Sequence, residues 1–147
     1  MKVFCLQRFR DEFLKLHTIK SYRSLEPEII SYFFNKELTQ VQSGTRLNNS
    51  AETPFIKKRL NGAGGFRFYF LLILKDEDLY LAYVHPKTGP QGSDNITDES
   101  KAALQKEVYD SIKTSNLFEV TTNENKLVFT HVKDSLISIP SPTSKIV

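Results

Sequence analysis

One stretch of the chain decides its fold: Phe66-Arg67-Phe68-Tyr69-Phe70-Leu71-Leu72-Ile73-Leu74. It is rich in aromatic and other large apolar side chains, which favour a pleated and largely buried strand. Successive side chains of a strand point to opposite faces of the sheet. Phe66, Phe68 and Phe70 therefore form an apolar row suited to a core covered by helices, which leaves the row of Arg67 for the open face.

Strands are also predicted on both sides of this stretch. Residues 79–85 are again rich in strand formers, and the acidic turn at 75–78 predicts a hairpin between the two. Residues 55–60 have strand character as well, and a glycine-rich turn at 61–65 joins them to the central stretch. The sequence thus predicts three consecutive antiparallel strands.

The register of the central hairpin decides which side chains meet. A three-residue loop sets Arg67 opposite Lys87 and Tyr69 opposite His85 on one face, whereas a two-residue loop turns them to opposite faces. The sequence leaves both registers open. We expect the residues to converge, because the uniformly apolar row of Phe66 fits the helix-covered core.

Helices are predicted before and after these strands. Apolar residues recur at helical spacing over residues 10–19, after a short first strand at 3–8. A second helix follows Ser24, a candidate N-cap, and extends to Leu38. A third helix over residues 98–114 starts from Thr97 as N-cap with acidic residues in its first turn.

The predicted order of elements is β-α-α-β-β-β-α-β-β, ending in a hairpin over residues 117–121 and 126–132. It predicts an α+β fold, in which two N-terminal helices and one C-terminal helix pack on one face of a central, mainly antiparallel sheet. We predict a single domain over residues 1–134, with a surface loop at 40–54, and a mobile tail over 135–147.

Composition narrows the class of protein. The 147 residues are 39% hydrophobic and 25% charged, which is ordinary for a folded domain. The longest apolar run is too short for a transmembrane segment, the N-terminus lacks a signal-peptide core, and a lone cysteine, Cys5, excludes an internal disulfide. We therefore expect a cytoplasmic protein with no membrane partner. Residues 1–60 carry 11 Lys/Arg against 6 Asp/Glu, an excess that suggests an anionic partner.

The candidate functional residues cluster on the three central strands and their ends: Lys57, Lys58, Arg59, Arg67, Tyr83, His85 and Lys87. By alternation, Lys57 and Arg59 share one face of their strand and Lys58 takes the other. Clustered cations with a histidine suit RNA cleavage by attack of the 2′-hydroxyl, in which cations hold the phosphates and stabilise the phosphorane.

Proton transfer in such a cleavage needs one group that accepts a proton and one that gives it. His85 is the candidate, because its ordinary pKa lies near neutrality, and Arg67 or Lys87 is the candidate to hold the transition state. The mechanism requires no cofactor, and the scattered histidines with one nearby acid, Asp94, predict no metal site. Structural roles remain open for the same residues: a solvated strand end for Lys57, Lys58 and Arg59, packing for Tyr83, and a structural role for His85, which precedes Pro86.

The chain resembles the RelE/ParE superfamily of bacterial toxins, and within it the HigB-like group of type II toxin–antitoxin systems. The resemblance covers residues 54–112 and rests on four short motifs. They are Pro54-Phe55-Ile56-Lys57-Lys58-Arg59-Leu60, Gly64-Gly65-Phe66-Arg67-Phe68-Tyr69, the run from Leu79-Tyr80-Leu81 to Pro86-Lys87-Thr88-Gly89, and Asn95-Ile96-Thr97-Asp98-Glu99. Two helices before the sheet also fit that fold.

The resemblance implies a toxin that enters the ribosome, cleaves translated mRNA without a metal and is neutralised by a cognate antitoxin. By position it assigns the Lys-x-Lys/Arg pair to Lys57 and Arg59, the arginine after Gly-aromatic to Arg67, and the basic residue after the central strands to Lys87. His85 follows from chemistry and not from the resemblance. The aromatic residue near the C-terminal end of some relatives has no clear counterpart, and the hairpin at 117–132 is an addition.

Two other functions fit the same sequence. A ParE-like protein would poison a topoisomerase by protein contact, and would produce DNA damage with intact mRNA. A binding module without catalysis would use the basic face to dock nucleic acid or an acidic partner, with an affinity that falls with salt and no cleavage.

Overall fold

The computed structural model of the protein describes residues 1–60, 65–89, 91–92 and 96–133. Residues 61–64 of the predicted glycine-rich turn at 61–65, the candidate acid Asp94, Asn95 of the last motif and the predicted tail at 135–147 lie outside these residues. Within the described ranges, no helix has the length and apolarity that a membrane crossing requires.

Seven strands in the described part of the chain form one sheet. They are β1 Lys2–Cys5, β2 Thr45–Arg46, β3 Phe55–Leu60, β4 Phe66–Ile73, β5 Asp78–Pro86, β6 Phe118–Asn123 and β7 Lys126–His131. Their spatial order is β2-β3-β4-β5-β1-β6-β7. All neighbours are antiparallel except β1 and β5, which run parallel. The predicted mainly antiparallel sheet is confirmed, and so is the closing hairpin β6–β7.

Four α-helices accompany the sheet in the described residues. They are α1 Gln7–Leu16, α2 Leu25–Ile29, α3 Leu38–Val41 and α4 Asp98–Thr114, with a 3₁₀ turn at Lys20–Tyr22 and a π-helical turn at Ile30–Phe34 that continues α2. The α+β class is therefore confirmed. The predicted loop at 40–54 contains the short edge strand β2.

The third predicted helix begins and ends where the sequence places it. The Thr97 hydroxyl accepts a hydrogen bond from the backbone N–H of Ser100 at 3.1 Å, and Asp98 and Glu99 lie in the first turn, where acids interact favourably with the helix dipole. The helix ends at Thr114, and the next residue, Ser115, adopts the left-handed conformation at φ 57°.

The N-terminal elements differ from the prediction. The first strand ends at Cys5 rather than at residue 8, and α1 begins at Gln7, because the spacing of Phe9, Phe13 and Leu16 places all three in the core from the first turn onward. The predicted second helix is not continuous to Leu38: it widens into a π-helical turn and stops at Asn35, and α3 is a separate turn of helix.

The helices cover both faces of the sheet, so the predicted placement on one face is wrong. α1, α2 and the π-helical turn pack on one face of β4. Their apolar side chains contact the apolar row of that strand, which consists of Phe66, Phe68, Phe70 and Leu72. α4 packs on the opposite face, where Leu104 and Val108 meet a second apolar group that includes Tyr69, Leu71 and Tyr80. The reason is that Leu71 and its neighbours make one end of the row of Arg67 apolar. Burying that apolar surface under α4 is favourable, so a helix packs there.

Candidate functional site

Two cross-strand rows bring the candidate residues together on the α4 side of the sheet. In the first row, Arg59 of β3 lies opposite Arg67 of β4, which lies opposite His85 of β5. In the second row, the order is Lys57, Tyr69 and Tyr83. Directly opposed residues have Cβ atoms about 5 Å apart, so the six side chains form one continuous surface, here called the cationic face.

A β-bulge in β5 produces this alignment. From the turn up to Phe70 and Leu81 the hairpin pairs regularly, and beyond that point Tyr69 pairs with Tyr83, so Ala82 is an extra residue. Regular pairing would have set Arg67 opposite Val84 and turned His85 to the other face. The expected convergence is found, although the expected partners were wrong: His85, and not Lys87, lies opposite Arg67.

Two of the candidate cations lie outside these rows. Lys58 belongs to the opposite face of β3, where its Nζ lies 3.3 Å from the Ser43 Oγ and 5.5 Å from the ring centre of Tyr32. Lys87 follows the end of β5, and its backbone N–H donates to the Gly65 carbonyl oxygen at 3.0 Å. Lys87 therefore stands at the rim of the cationic face, and Lys58 is not part of it.

His85 and Tyr69 are the two buried residues of the cationic face, with 2% and 0% of their surface exposed. The His85 ring packs beside two tyrosine rings, 5.9 Å from the centre of Tyr69 and 5.8 Å from that of Tyr83, and those two rings are 6.3 Å apart, so the three form a triangular cluster. The Nδ1 atom donates to the Pro86 carbonyl oxygen at 3.2 Å, which places the proton of the neutral ring on Nδ1. Burial lowers the pKa of His85, and the nearby charge of Arg67 lowers it further, so the ring is neutral at pH 7.

The two tyrosines of the cationic face have environments that keep their phenols protonated. Burial raises the pKa of Tyr69, whose hydroxyl is enclosed near the backbone of Ile96 without an ordinary hydrogen bond among the described residues. Burial also raises the pKa of Tyr83, and the carboxylate of Glu12 adds to the effect. Both hydroxyls are therefore proton donors near neutrality, and neither is an anion.

A cleft of about 290 Å³ opens between α1, β5 and α4 beside Tyr83. Arg8 of α1 and Glu107 of α4 lie at its mouth, and the Arg8 Nη2 donates to the Glu107 Oε1 at 2.8 Å. The Glu107 carboxylate raises the pKa of the Arg8 guanidinium through this hydrogen bond. The ion pair joins the two helices that border the cationic face.

Sequence reasoning missed one cation of this surface, Lys101 of α4. Burial lowers the pKa of Lys57, and the charges of Lys101 and Arg67 lower it further, which places both cations near Lys57. The sequence did contain a signal: Lys101 precedes Leu104 and Val108 by three and seven residues, a spacing that puts all three on the sheet-facing side of the helix.

Among the residues that the structure describes, no three His, Cys, Asp or Glu side chains form a group able to hold a metal ion. The chain matches no family model, no curated protein and no solved structure. The cationic face must therefore be interpreted from its own chemistry: guanidinium and ammonium groups that bind phosphates, phenols that donate protons, and a neutral imidazole beneath them.

Proposed function

We propose that the protein is the toxin of a type II toxin–antitoxin system, a HigB-like member of the RelE/ParE superfamily that cleaves translated mRNA on the ribosome without a metal. The row of Arg59, Arg67 and His85 across three adjacent strands carries this proposal. It aligns two guanidinium groups and one imidazole on a single surface. A cognate antitoxin would neutralise the toxin by covering that surface.

The proposed reaction is attack of an RNA 2′-hydroxyl on the adjacent phosphate, with departure of the 5′-oxygen of the next nucleotide. Lys57 and Arg59 hold the flanking phosphates, and Arg67 with Lys87 at the rim stabilises the negative charge that builds on the phosphorane. The attacking hydroxyl loses a proton and the leaving oxygen gains one. Tyr83, which is partly exposed and protonated, lies close enough to the row to bind the RNA and is the group available as a donor.

His85 enters the proposal as the proton acceptor, since its ring is neutral at pH 7. Because only 2% of the residue is exposed, this role requires the side chains above it to move when RNA binds. The pH profile of cleavage tests the role. A proton acceptor with a lowered pKa gives activity that holds below pH 6.5 and falls only in more acid solution, and His85→Gln abolishes that titration. A profile unchanged by His85→Gln would reduce His85 to a positioning residue for Tyr69 and Tyr83.

The arrangement of elements supports the superfamily assignment in part. α1, α2 and the single turn of α3 precede the three-strand antiparallel unit β3-β4-β5, where the resemblance implies two helices before the sheet. The resemblance also covers α4 as far as residue 112, but it does not include the β6–β7 hairpin, which lies at the far edge of the sheet.

A nucleic-acid-binding module without catalysis is the second candidate. The burial of His85 favours it, because a group that transfers protons ordinarily reaches its substrate. In the described part of the chain the other two histidines lie elsewhere, against the rings of Phe13 and Phe118. This candidate predicts salt-dependent binding to RNA with no cut strands.

The deciding experiment induces the wild type, Arg67→Ala and Lys106→Ala in bacteria and maps mRNA 5′ ends. Lys106 is an exposed lysine of α4 that pairs with Asp110, so its removal is a control for the loss of one positive charge. We expect cuts confined to translated regions, reduced about 10²- to 10³-fold in Arg67→Ala and unchanged in Lys106→Ala. Intact mRNA in every strain contradicts the proposal, and DNA damage with intact mRNA selects the topoisomerase poison. Cleavage by folded Arg67→Ala at the wild-type rate removes Arg67 from the mechanism.

A further inference from the structure

Lys101 holds an unusual position for a lysine on a surface helix. Its side chain is only 21% exposed, because it lies on the sheet-facing side of α4. Its Nζ is 3.5 Å from the Oδ1 of Asp98, but the Asp98 side chain is fully exposed. An acid so well solvated neutralises little of the charge on a neighbouring cation. The ammonium group is therefore held against the sheet with weak compensation from that carboxylate.

A second cation lies across a cleft from Lys101. The cleft has a volume of about 330 Å³ and runs between the N-terminal half of α4 and the start of β3, with Arg46, Lys101 and the solvated carboxylate of Asp98 on its walls and Phe55 beneath. Lys57 is two residues beyond Phe55 on the same face of β3, a distance of about 7 Å along the strand. The cleft thus leads directly onto the cationic face.

Like charges accumulate where the cleft meets the cationic face. Lys57 shares a face of β3 with Phe55, which lines the cleft together with Lys101. The cross-strand partner of Lys57, Tyr69, is two residues from Arg67 on the same face of β4. Burial lowers the pKa of Lys57, and the charges of Lys101 and Arg67 lower it further. An anion that binds between cations placed in this way is attracted by all of them. Three elements, β3, β4 and α4, each supply one cation to the same place, which is a geometry suited to a chain of phosphates.

We propose that Arg46 and Lys101 extend the cationic face into a groove that binds the phosphate backbone of a single-stranded nucleic acid, with α4 as one wall. The proposal rests on the proposed function only in placing RNA on this face. A cleft of this volume has room for about one nucleotide and not for a paired duplex. Tracking of a single strand by a groove of positive charge is a common mode of binding that does not depend on base sequence.

The test measures binding without cleavage. The probe is a short, fluorescein-labelled oligothymidylate, which lacks the 2′-hydroxyl and therefore cannot be cut by the proposed reaction. Fluorescence anisotropy is recorded over a range of KCl concentrations for the wild type, Lys101→Ala, Arg46→Ala and the control Lys106→Ala. Each protein is first checked by thermal unfolding, and Lys101→Ala should fold normally because alanine favours a helix.

We expect Lys101→Ala and Arg46→Ala each to bind about three- to tenfold more weakly at low salt, and each to flatten the dependence of log Kd on log salt by about 0.7. Lys106→Ala should bind within about twofold of the wild type. The groove is contradicted if folded Lys101→Ala binds as the wild type does, if the wild type binds no oligothymidylate, or if it prefers duplex DNA. Binding lost in Lys101→Ala by a protein that cuts no mRNA supports the groove while the proposed function fails. If the protein cleaves mRNA but Lys101→Ala binds oligothymidylate as the wild type does, the groove is contradicted and the proposed function stands.

Discussion

The two faces of β4 carry the same number of large side chains but serve different purposes. The face toward α1 and α2 presents Phe66, Phe68, Phe70 and Leu72, which are all fully buried. The face toward α4 presents Leu71 and Tyr69 under the helix and then Arg67 beyond it. The first face is uniform along its length, and the second changes from core to charged surface within two residues.

The helices above the two faces account for this difference. α1 places three residues fully in the core within ten positions, namely Phe9, Phe13 and Leu16. α4 is longer at 17 residues, yet its buried positions are Leu104 and Val108, of which only Val108 is fully buried. A helix with so narrow an apolar stripe covers only part of the sheet. The uncovered part is where a polar site can form, so we expect the α1 face to hold most of the stability and the α4 face most of the function.

Replacing Phe68 should give the largest effect and tests the stability of the α1 face. The ring lies 5.4 Å from that of Phe33 and 6.4 Å from that of Phe9, with no exposed surface. We expect Phe68→Ala to lower the free energy of unfolding by about 3 to 5 kcal/mol, measured by urea titration. A loss smaller than that caused by Leu104→Ala would reverse the proposed division between the faces.

Leu104→Ala tests the α4 face in the same way. Leu104 is buried at the contact of α4 with the sheet, and we expect a loss of about 2 to 3 kcal/mol. Amide hydrogen exchange should then accelerate in α4 before it does in α1. Lys106→Ala on the same helix is the control and should change stability by less than about 0.5 kcal/mol. Equal acceleration in both helices would show that the two layers unfold as one unit.

The pH dependence of the free energy of unfolding tests the α4 face through one residue, His85. The pKa of His85 is lowered in the folded protein, so the unfolded chain binds its proton at a pH where the folded protein does not. Stability should fall as the pH drops below about 6.5 toward the lowered value, with a slope of at most one proton. Chemical unfolding of the wild type and of His85→Gln from pH 7.5 to 5 measures this. A variant that keeps the full slope would assign it to another group.

The ion pair between α1 and α4 should give the smallest effect. Arg8 and Glu107 are both well exposed, and exposed pairs contribute less than about 1 kcal/mol. A double-mutant cycle with Arg8→Met and Glu107→Gln should give a coupling energy in that range, decreasing as salt is added. A coupling above about 2 kcal/mol would mean that α4 depends on this pair more than on its apolar contacts.

The sequence predicts the elements of this fold better than their placement. The apolar run at 66–74 predicts β4, and the cap at Thr97 predicts α4 to the residue, because both signals are local. The prediction that α4 covers the same face as the other helices was wrong. It took the whole row of Arg67 to be open to solvent, although Leu71 and Ile73 make the other end of that row apolar. The π-helical turn at Ile30–Phe34 has no local signal at all, because its residues are ordinary helix and core formers.

The candidate site was predictable up to the point where the bulge intervenes. Alternation along β3 correctly separates Lys58 from Lys57 and Arg59. The pairing of Arg67 with His85 depends on Ala82, and an alanine in a strand carries no local mark of a bulge. Lys101 depends on the docking of α4, a tertiary contact that no strand pattern reveals.

The bulge at Ala82 also has a consequence at the level of the gene. β5 is one residue longer than regular pairing with β4 requires, so Ala82 resembles a residue added by the insertion of one codon. An in-frame deletion of that codon would let Tyr83 and His85 keep their partners, Tyr69 and Arg67, across a straighter hairpin. Deleting the codon of Val84 would instead turn His85 toward the phenylalanine core. Within this central strand, single-codon deletions should thus be tolerated next to the bulge and rejected beyond it.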